Sequence, residues 1–136
     1  MALEGVEGMI TFTYYNDLEK AAEFYGETMG FALVIDVDFA KVYRVSGSSH
    51  IGIVDGERGF MRAKEDKPVM ISFVVEDIDV WYDYLRDKGV EIFQPPKEAS
   101  YLRMKTLLLR DPEGYVVEIL EFLEKPYGRS YDASEG

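Results

Sequence analysis

The chain has 136 residues, of which 47% are hydrophobic, and this size and composition predict one folded globular domain with its own core. Its 26 acidic residues outnumber the 15 basic ones and leave a net charge of −11, which would repel nucleic acids and anionic membranes and makes both poor partners. The absence of cysteine excludes disulfides, thiolate metal sites and cysteine nucleophiles.

No charged-then-apolar leader opens the sequence, and no apolar run approaches the roughly 18 residues that a membrane-spanning helix needs. We therefore expect a soluble cytoplasmic protein. The acidic surface would favour a cationic ligand, although charge of this kind also serves solubility alone.

The first predicted elements are a strand and a helix in ITFTYYNDLEKAAEFYGETMGF (Ile10–Phe31). Asn16 or Asp17 can accept backbone N–H bonds where the helix begins, and Gly30 can adopt the left-handed conformation that ends it. The apolar positions of the helix recur at helical spacing: Leu18, Ala21, Ala22, Tyr25 and Met29. One face of this helix therefore needs a partner surface, which we expect to be a sheet.

Three further strands are predicted after this helix, at Phe31–Val37, Phe39–Val45 and His50–Val54. The small polar residues Ser46–Ser49 form a turn between the last two strands. The polar stretch Asp55–Pro68 then predicts a linker between two halves of the chain.

The stretch ISFVVEDIDVWYDYLRDKGV (Ile71–Val90) repeats the pattern of strand, cap and helix, with Asp77 as the cap and Gly89 as the stop. The apolar stripe of this helix consists of Ile78, Trp81, Tyr82 and Leu85. The internal repeat predicts two modules of the same architecture.

Three strands are predicted again in the second half, at Val90–Phe93, Leu102–Arg110 and Tyr115–Phe122. QPPKEAS at Gln94–Ser100 and DPEG at Asp111–Gly114 are the predicted turns between them. The second of these has Asp first, Pro second and Gly fourth, which is typical of a type I turn.

These elements predict an α+β protein made of tandem βαβββ modules in a single domain. Module one spans residues 9–54, a linker 55–68, module two 69–122 and a tail 123–136. The tail shows no periodicity, and we expect it to be mobile or packed on a neighbour. Because each module alone leaves a sheet face uncovered, we expect the modules to pair, with the helices on the convex side.

The tandem order and three stretches resemble the vicinal oxygen chelate superfamily, which includes glyoxalase I, bleomycin-resistance proteins, fosfomycin-resistance enzymes and extradiol dioxygenases. The stretches are NDLEKAAEFYGETMGF, FVVEDIDVWYDYLRDKGV and DPEGYVVEI. The resemblance extends from Met9 to Phe122 and implies a cup-shaped, half-open barrel, commonly in a homodimer. In metal-dependent members, His, Gln or Glu side chains from four strands hold a divalent ion.

The resemblance implies four ligand positions in this chain, which are Ile10, Gly52, Met70 and Glu118. Shifting the first strand by one residue gives Met9 or Thr11, neither of which is a usual ligand. Only Glu118 carries a usual donor, whereas catalytic metal sites generally use about three protein ligands. The chain is therefore expected to lack the full metal site, with a divalent metal at Glu118 as the alternative.

Three interpretations of Glu118 stay open: a metal ligand, a carboxylate that binds a ligand in a metal-free cup, and a salt bridge to Lys105 or Arg103 on the preceding strand. His50, the chain's one histidine, stands two residues before Gly52 on the same strand face. It could complete a partial metal site, pair with Glu118 to handle protons, or be an ordinary residue near a strand start.

Strand alternation predicts which side chains line the apolar face around Glu118. From the second module these are Met70, Ser72, Val74, Val116 and Leu120. From the first module they are either Phe12 and Tyr14 or Thr13 and Tyr15, with Tyr43 as a further wall residue. An apolar lining with few polar anchors is typical of a small-molecule site.

Two functions follow from these interpretations. The first is a non-enzymatic protein of bleomycin-resistance type that holds a small molecule in an apolar cup. The second is a metal-dependent lyase, isomerase or dioxygenase with an atypical site that uses Glu118, with or without His50. The predicted ligand-binding residues are Glu118, His50, Tyr43, Tyr14, Ser72, Met70 and Lys105.

Overall fold

The computed structural model describes residues 4–124 and confirms the α+β class with two βαβββ modules in tandem. The eight strands form two four-stranded sheets, one in each of two compact units that divide between Lys64 and Glu65. The expectation for residues 125–136 of the tail lies outside the described part of the chain. No helix within residues 4–124 has the length and apolar character needed to cross a membrane.

The first unit contains four strands and one helix: β1 (Met9–Tyr15), α1 (Leu18–Ala22), β2 (Ala32–Val37), β3 (Ala40–Ser46) and β4 (Ser49–Asp55). The strand order is β1-β4-β3-β2. Strands β1 and β4 are parallel, while β3 pairs antiparallel with both of its neighbours. From β1 the chain crosses through α1 to β2, which lies at the opposite edge of the sheet.

Helix α1 begins at the predicted cap, where the Asp17 carboxylate accepts the Lys20 N–H at 3.1 Å. After Ala22 the helix widens into an unpredicted π-helical segment, Glu23–Thr28. The wider turn accompanies the burial of two adjacent rings, Phe24 and Tyr25, which an ordinary helix would direct to different sides. Gly30, at a φ of 79°, ends the helix as predicted.

The burial pattern of β1 shows which of its residues face α1. Thr13 and Tyr15 are buried, whereas Phe12 is 46% exposed. The structure therefore selects one of the two alternatives for this strand and places Phe12 and Tyr14 together on the face away from the helix.

The second unit repeats the arrangement: β5 (Met70–Val74), α2 (Ile78–Asp87), β6 (Ile92–Glu98), β7 (Met104–Arg110) and β8 (Val116–Phe122). The strand order is β5-β8-β7-β6, with β5 parallel to β8. Asp77 caps α2 by accepting the N–H groups of Asp79 and Val80 at 3.0 and 3.3 Å. The core under α2 contains side chains with no exposed surface: Ile78, Leu85, Leu107, Leu109, Val117 and Ile119.

The prediction of a turn at Gln94–Ser100 is wrong, because β6 continues through both prolines to Glu98. Proline has no N–H to donate, but β6 is an edge strand and needs hydrogen bonds on one side only. Its pairing with β7 shifts register between Ile92 and Gln94 and again between Gln94 and Lys97. These bulges accommodate the prolines within the strand.

Candidate functional site

Glu118 lies in the middle of β8, between Ser72 of β5 and Leu108 of β7. The Ser72 hydroxyl donates a hydrogen bond of 2.7 Å to Glu118 Oε1. Glu118 is half-buried, and within residues 4–124 this is the only hydrogen bond that its carboxylate makes. The side-chain group that contacts the Glu118 carboxylate is therefore a neutral hydroxyl.

The surface around this pair is mostly apolar. We call it the helix-free face of the second sheet, and its residues around Glu118 are Met70, Ser72, Val74, Thr106, Leu108, Val116 and Leu120. By strand register, Arg110 of β7 and Gln94 and Lys97 of β6 share this face. The intervening residues Val117 and Ile119 point to the opposite face and are fully buried. Met70 is 54% exposed and Val74 36% exposed. Apolar contact area is thus available on the strand next to Glu118, two residues to either side of Ser72.

The two basic residues considered as partners of Glu118, Lys105 in β7 and Arg103 just before it, contact other carboxylates. Lys105 is in register with Glu121, three residues beyond Glu118, so it faces α2, and its ammonium lies 3.4 Å from the Asp79 carboxylate. Arg103 Nη1 lies 3.8 Å from Glu124. The structure does not bring Lys105 together with the other predicted ligand-binding residues.

Lys105 instead borders a depression of about 580 Å³ beside the start of α2, whose lining residues are Glu76, Asp77, Asp79, Lys105, Glu121 and Leu123. Glu121 accepts the Ile78 N–H at 3.0 Å, and Asp77 accepts two further N–H groups of the first turn. These carboxylates cap the helix and satisfy donors that a helix end leaves free. Helix capping therefore accounts for the acidic residues that line the depression.

The helix-free face of the first sheet holds the remaining predicted residues. Its members on β1, β3 and β4 are Ile10, Phe12, Tyr14, Ala40, Val42, Arg44, His50, Gly52 and Val54. Phe12 is in register with Gly52, and a Cβ atom added to Gly52 would lie 2.3 Å from Phe12 Cδ1. Atoms cannot approach that closely, so the ring covers the position where a side chain at residue 52 would begin.

The four ligand positions of the metal-dependent proteins do not fit a metal ion in this chain. Ile10 and Met70 offer no usual donor, and Gly52 is covered by the Phe12 ring. Within the described residues, no three or more His, Asp or Glu side chains are grouped so that they could hold a metal. His50 is in register with Ile10, and its Nδ1 lies 3.1 Å from the Ser48 carbonyl oxygen.

Tyr43 requires a correction, because it is in register with Ile51 and faces α1 rather than the helix-free face. It is 4% exposed, and its hydroxyl donates to the Ala22 carbonyl oxygen at 3.4 Å. Its ring also passes close to Gly26, where an added Cβ would lie 3.1 Å from Tyr43 Cε1. The neighbouring residue Val42 lies on the helix-free face instead, in register with Gly52.

Burial raises the pKa of the Tyr43 phenol above its ordinary value of 10.0, against a smaller opposing effect of Lys41. The folded protein therefore keeps this proton where the unfolded chain loses it. The stabilisation is complete below about pH 10 and is lost as the pH rises further. Urea denaturation between about pH 8 and about pH 11 should show this loss. The loss of stability over this pH range should be smaller in Tyr43→Phe than in the wild type. It should be the same as in the wild type in Tyr101→Phe, since Tyr101 is 80% exposed.

Two βαβββ units, each with a four-stranded sheet and a helix on one face, define a class of small α+β proteins built from a repeated module. The model of the Glyoxalase/Bleomycin resistance protein/Dioxygenase superfamily matches residues 10–119, and the chain belongs to this superfamily.

Comparison with individual proteins agrees with this assignment. The uncharacterized protein YraH of Bacillus subtilis strain 168 is 26% identical over 118 residues, which cover 79% of this chain and 92% of YraH. A glyoxalase/bleomycin resistance protein/dioxygenase from Nocardioides has a similar structure, with a TM-score of 0.72, 21% identity, and coverage of 91% of this chain and 87% of its own. Lactoylglutathione lyase from Agrobacterium tumefaciens gives a TM-score of 0.71 and 18% identity, covering 89% and 96% of the two chains.

Proposed function

We propose that this protein binds a small apolar molecule on a helix-free sheet face, without a complete chelate metal site. It would act as a binding protein of bleomycin-resistance type. The contact between Phe12 and Gly52 is the observation that carries this proposal, since the ring takes the space that a metal-ligating side chain at residue 52 would need. The same ring offers a ligand an aromatic surface.

The exposure of other apolar residues on the helix-free faces supports the proposal. Phe12 is 46% exposed, Ile10 40%, Met70 54% and Val74 36%. Single exposed apolar residues are normal on any protein, whereas neighbouring ones, here Ile10 and Phe12 in the first sheet and Met70 and Val74 in the second, offer contact area to a ligand. A bound apolar molecule would remove this surface from water and gain about 25 cal/mol per Å².

Phe12→Ala should weaken the binding of a neutral apolar fluorophore such as N-phenyl-1-naphthylamine by about tenfold. The reason is the loss of ring contact area with the ligand. Fluorescence titration measures the affinity. Phe60→Ala is the matched control, because Phe60 is 97% exposed in a loop and removing its ring should leave the affinity unchanged. Equal affinities for the wild type and Phe12→Ala would contradict a ligand surface at Phe12.

Metal binding separates this proposal from the enzymatic alternative. Titration of Ni²⁺, Zn²⁺, Mn²⁺ and Fe²⁺ into untagged protein should give no stoichiometric binding at micromolar affinity, because one carboxylate holds a divalent ion weakly. Stoichiometric binding that disappears in Glu118→Gln would overturn the metal-free function. It would favour a lyase, isomerase or dioxygenase whose metal is held by Glu118, with or without His50.

The same proposal includes a cytoplasmic homodimer. Size-exclusion chromatography with light scattering should then give about twice the chain mass of 15.6 kDa. A mass equal to that of the single chain would contradict the dimer and would leave the binding function in place.

A further inference from the structure

We infer that the ligand carries a protonated amine beside its apolar body, and that Glu118, oriented by Ser72, accepts this amine. The inference rests on the proposed function and specifies the chemical class of the ligand. It starts from the position of Glu118, a carboxylate placed within an otherwise mostly apolar face.

Within residues 4–124 the carboxylate of Glu118 has one hydrogen-bond partner, and that partner is a neutral hydroxyl. Ser72 donates to Oε1 at 2.7 Å, and within residues 4–124 no further hydrogen bond or ion pair reaches the side chain. On either side along β8 the same face presents Val116 and Leu120. A charge next to apolar groups is poorly hydrated and gains more from a cation than a fully exposed charge would.

Two cations share this face of the second unit, and neither forms a described hydrogen bond or ion pair with Glu118. Arg110 is in register with Val116, but its guanidinium lies 4.9 Å from the centre of the Phe93 ring and 3.4 Å from the Gly114 carbonyl oxygen. Lys97 belongs to β6, two strands away from β8, a separation of roughly 10 Å. A cation for Glu118 is therefore expected to come with the ligand.

The apolar residues beside the pair indicate what the rest of such a ligand looks like. Met70 and Val74 flank Ser72 on β5 and are among the exposed members of the face. An alkyl or aryl body could cover them while an attached ammonium donates to Glu118 Oε2. A polyol would gain little from contact with Met70 and Val74. A ligand with a carboxylate would be repelled by Glu118 and by the net charge of −11.

Three probes with one apolar body and different charges test the inference: 4-phenylbutylamine, 4-phenylbutanol and 4-phenylbutyrate. Their affinities for the full chain are measured by isothermal titration calorimetry near neutral pH. The amine should bind about tenfold more tightly than the alcohol, and the acid more weakly than both. The preference for the amine should shrink as the salt concentration rises.

Glu118→Gln is the variant that removes the charge while an amide oxygen can still accept the Ser72 hydroxyl. It should abolish the preference for the amine, so that the amine and the alcohol bind the variant with similar affinity. Glu121→Gln is the matched control, because Glu121 lies on the same strand but caps α2 on the opposite face. The preference should persist in this control. Ser72→Ala should reduce the preference by a smaller factor than Glu118→Gln, since Ser72 only positions the carboxylate.

The outcomes distinguish this inference from the proposed function. If the amine and the alcohol bind the wild type equally, or if the preference survives in Glu118→Gln, the inference is overturned and the binding function stands. If none of the three probes binds up to millimolar concentration, both are overturned. A preference that Glu118→Gln alone removes supports both.

Discussion

Ile119→Ala should lower the free energy of unfolding of the second unit by about 3 kcal/mol, within a range of about 2 to 5. Ile119 has no exposed surface and lies in the core between β8 and α2, so its truncation removes buried apolar atoms and leaves a cavity. Urea denaturation followed by the fluorescence of Trp81 measures this loss, because the chain's one tryptophan belongs to α2.

Ile35→Ala is the matched control for this change. It removes the same atoms from a strand, but Ile35 is 48% exposed in the edge strand β2, and the expected loss is about 1 kcal/mol or less. Equal losses in the two variants would contradict the assignment of Ile119 to the core. The result also bears on the binding site, because Ile119 follows Glu118 directly in β8. The packing of Ile119 holds in place the strand that presents Glu118.

Asp111→Ala should lower the free energy of unfolding by about 2 to 4 kcal/mol. The Asp111 carboxylate is 4% exposed and accepts the N–H groups of Glu113 and Tyr115 at 3.1 and 3.0 Å within the turn before β8. Removing the carboxylate leaves both N–H donors without this acceptor. Because Tyr115 is itself buried, water replaces the carboxylate poorly.

Asp111→Asn separates the hydrogen bonds from the charge, because the amide oxygen can accept the same two N–H groups. Its cost should be about 1 kcal/mol or less. Hydrogen exchange at the Tyr115 amide gives a local measurement, which should accelerate in Asp111→Ala far more than in Asp111→Asn. Similar exchange rates in the two variants would show that the carboxylate does not hold the turn.

Local chemistry explains why much of the fold could be predicted from the sequence. The caps at Asp17 and Asp77, the glycine at Gly30 and the turn that begins at Asp111 all act within a few residues, and each lies where it was expected. The extent of β6 was not predicted, because prolines usually indicate a turn. A strand tolerates them only at a sheet edge, and the sequence alone does not show that β6 is an edge strand.

The candidate site depended on contacts that are distant in sequence. Ser72 and Glu118 are 46 residues apart and meet through a parallel pairing whose register the sequence does not state. The hairpin made Lys105 an obvious partner for Glu118, but an offset of three residues on β8 placed it on the opposite face. A glycine within the apolar strand HIGIV indicates that another group approaches the backbone closely, and that signal could have predicted the contact of Gly52 with Phe12.

The cover that Phe12 forms over Gly52 also restricts how such a protein could change into a metal enzyme. A ligating side chain at residue 52 meets the ring as soon as its Cβ is added, so this substitution is tolerated only once residue 12 is smaller or its ring has turned away. Donors at residues 10 and 70 would still be needed. The order of these two changes is therefore constrained, because the Phe12 ring must shrink or move before residue 52 can supply a ligand.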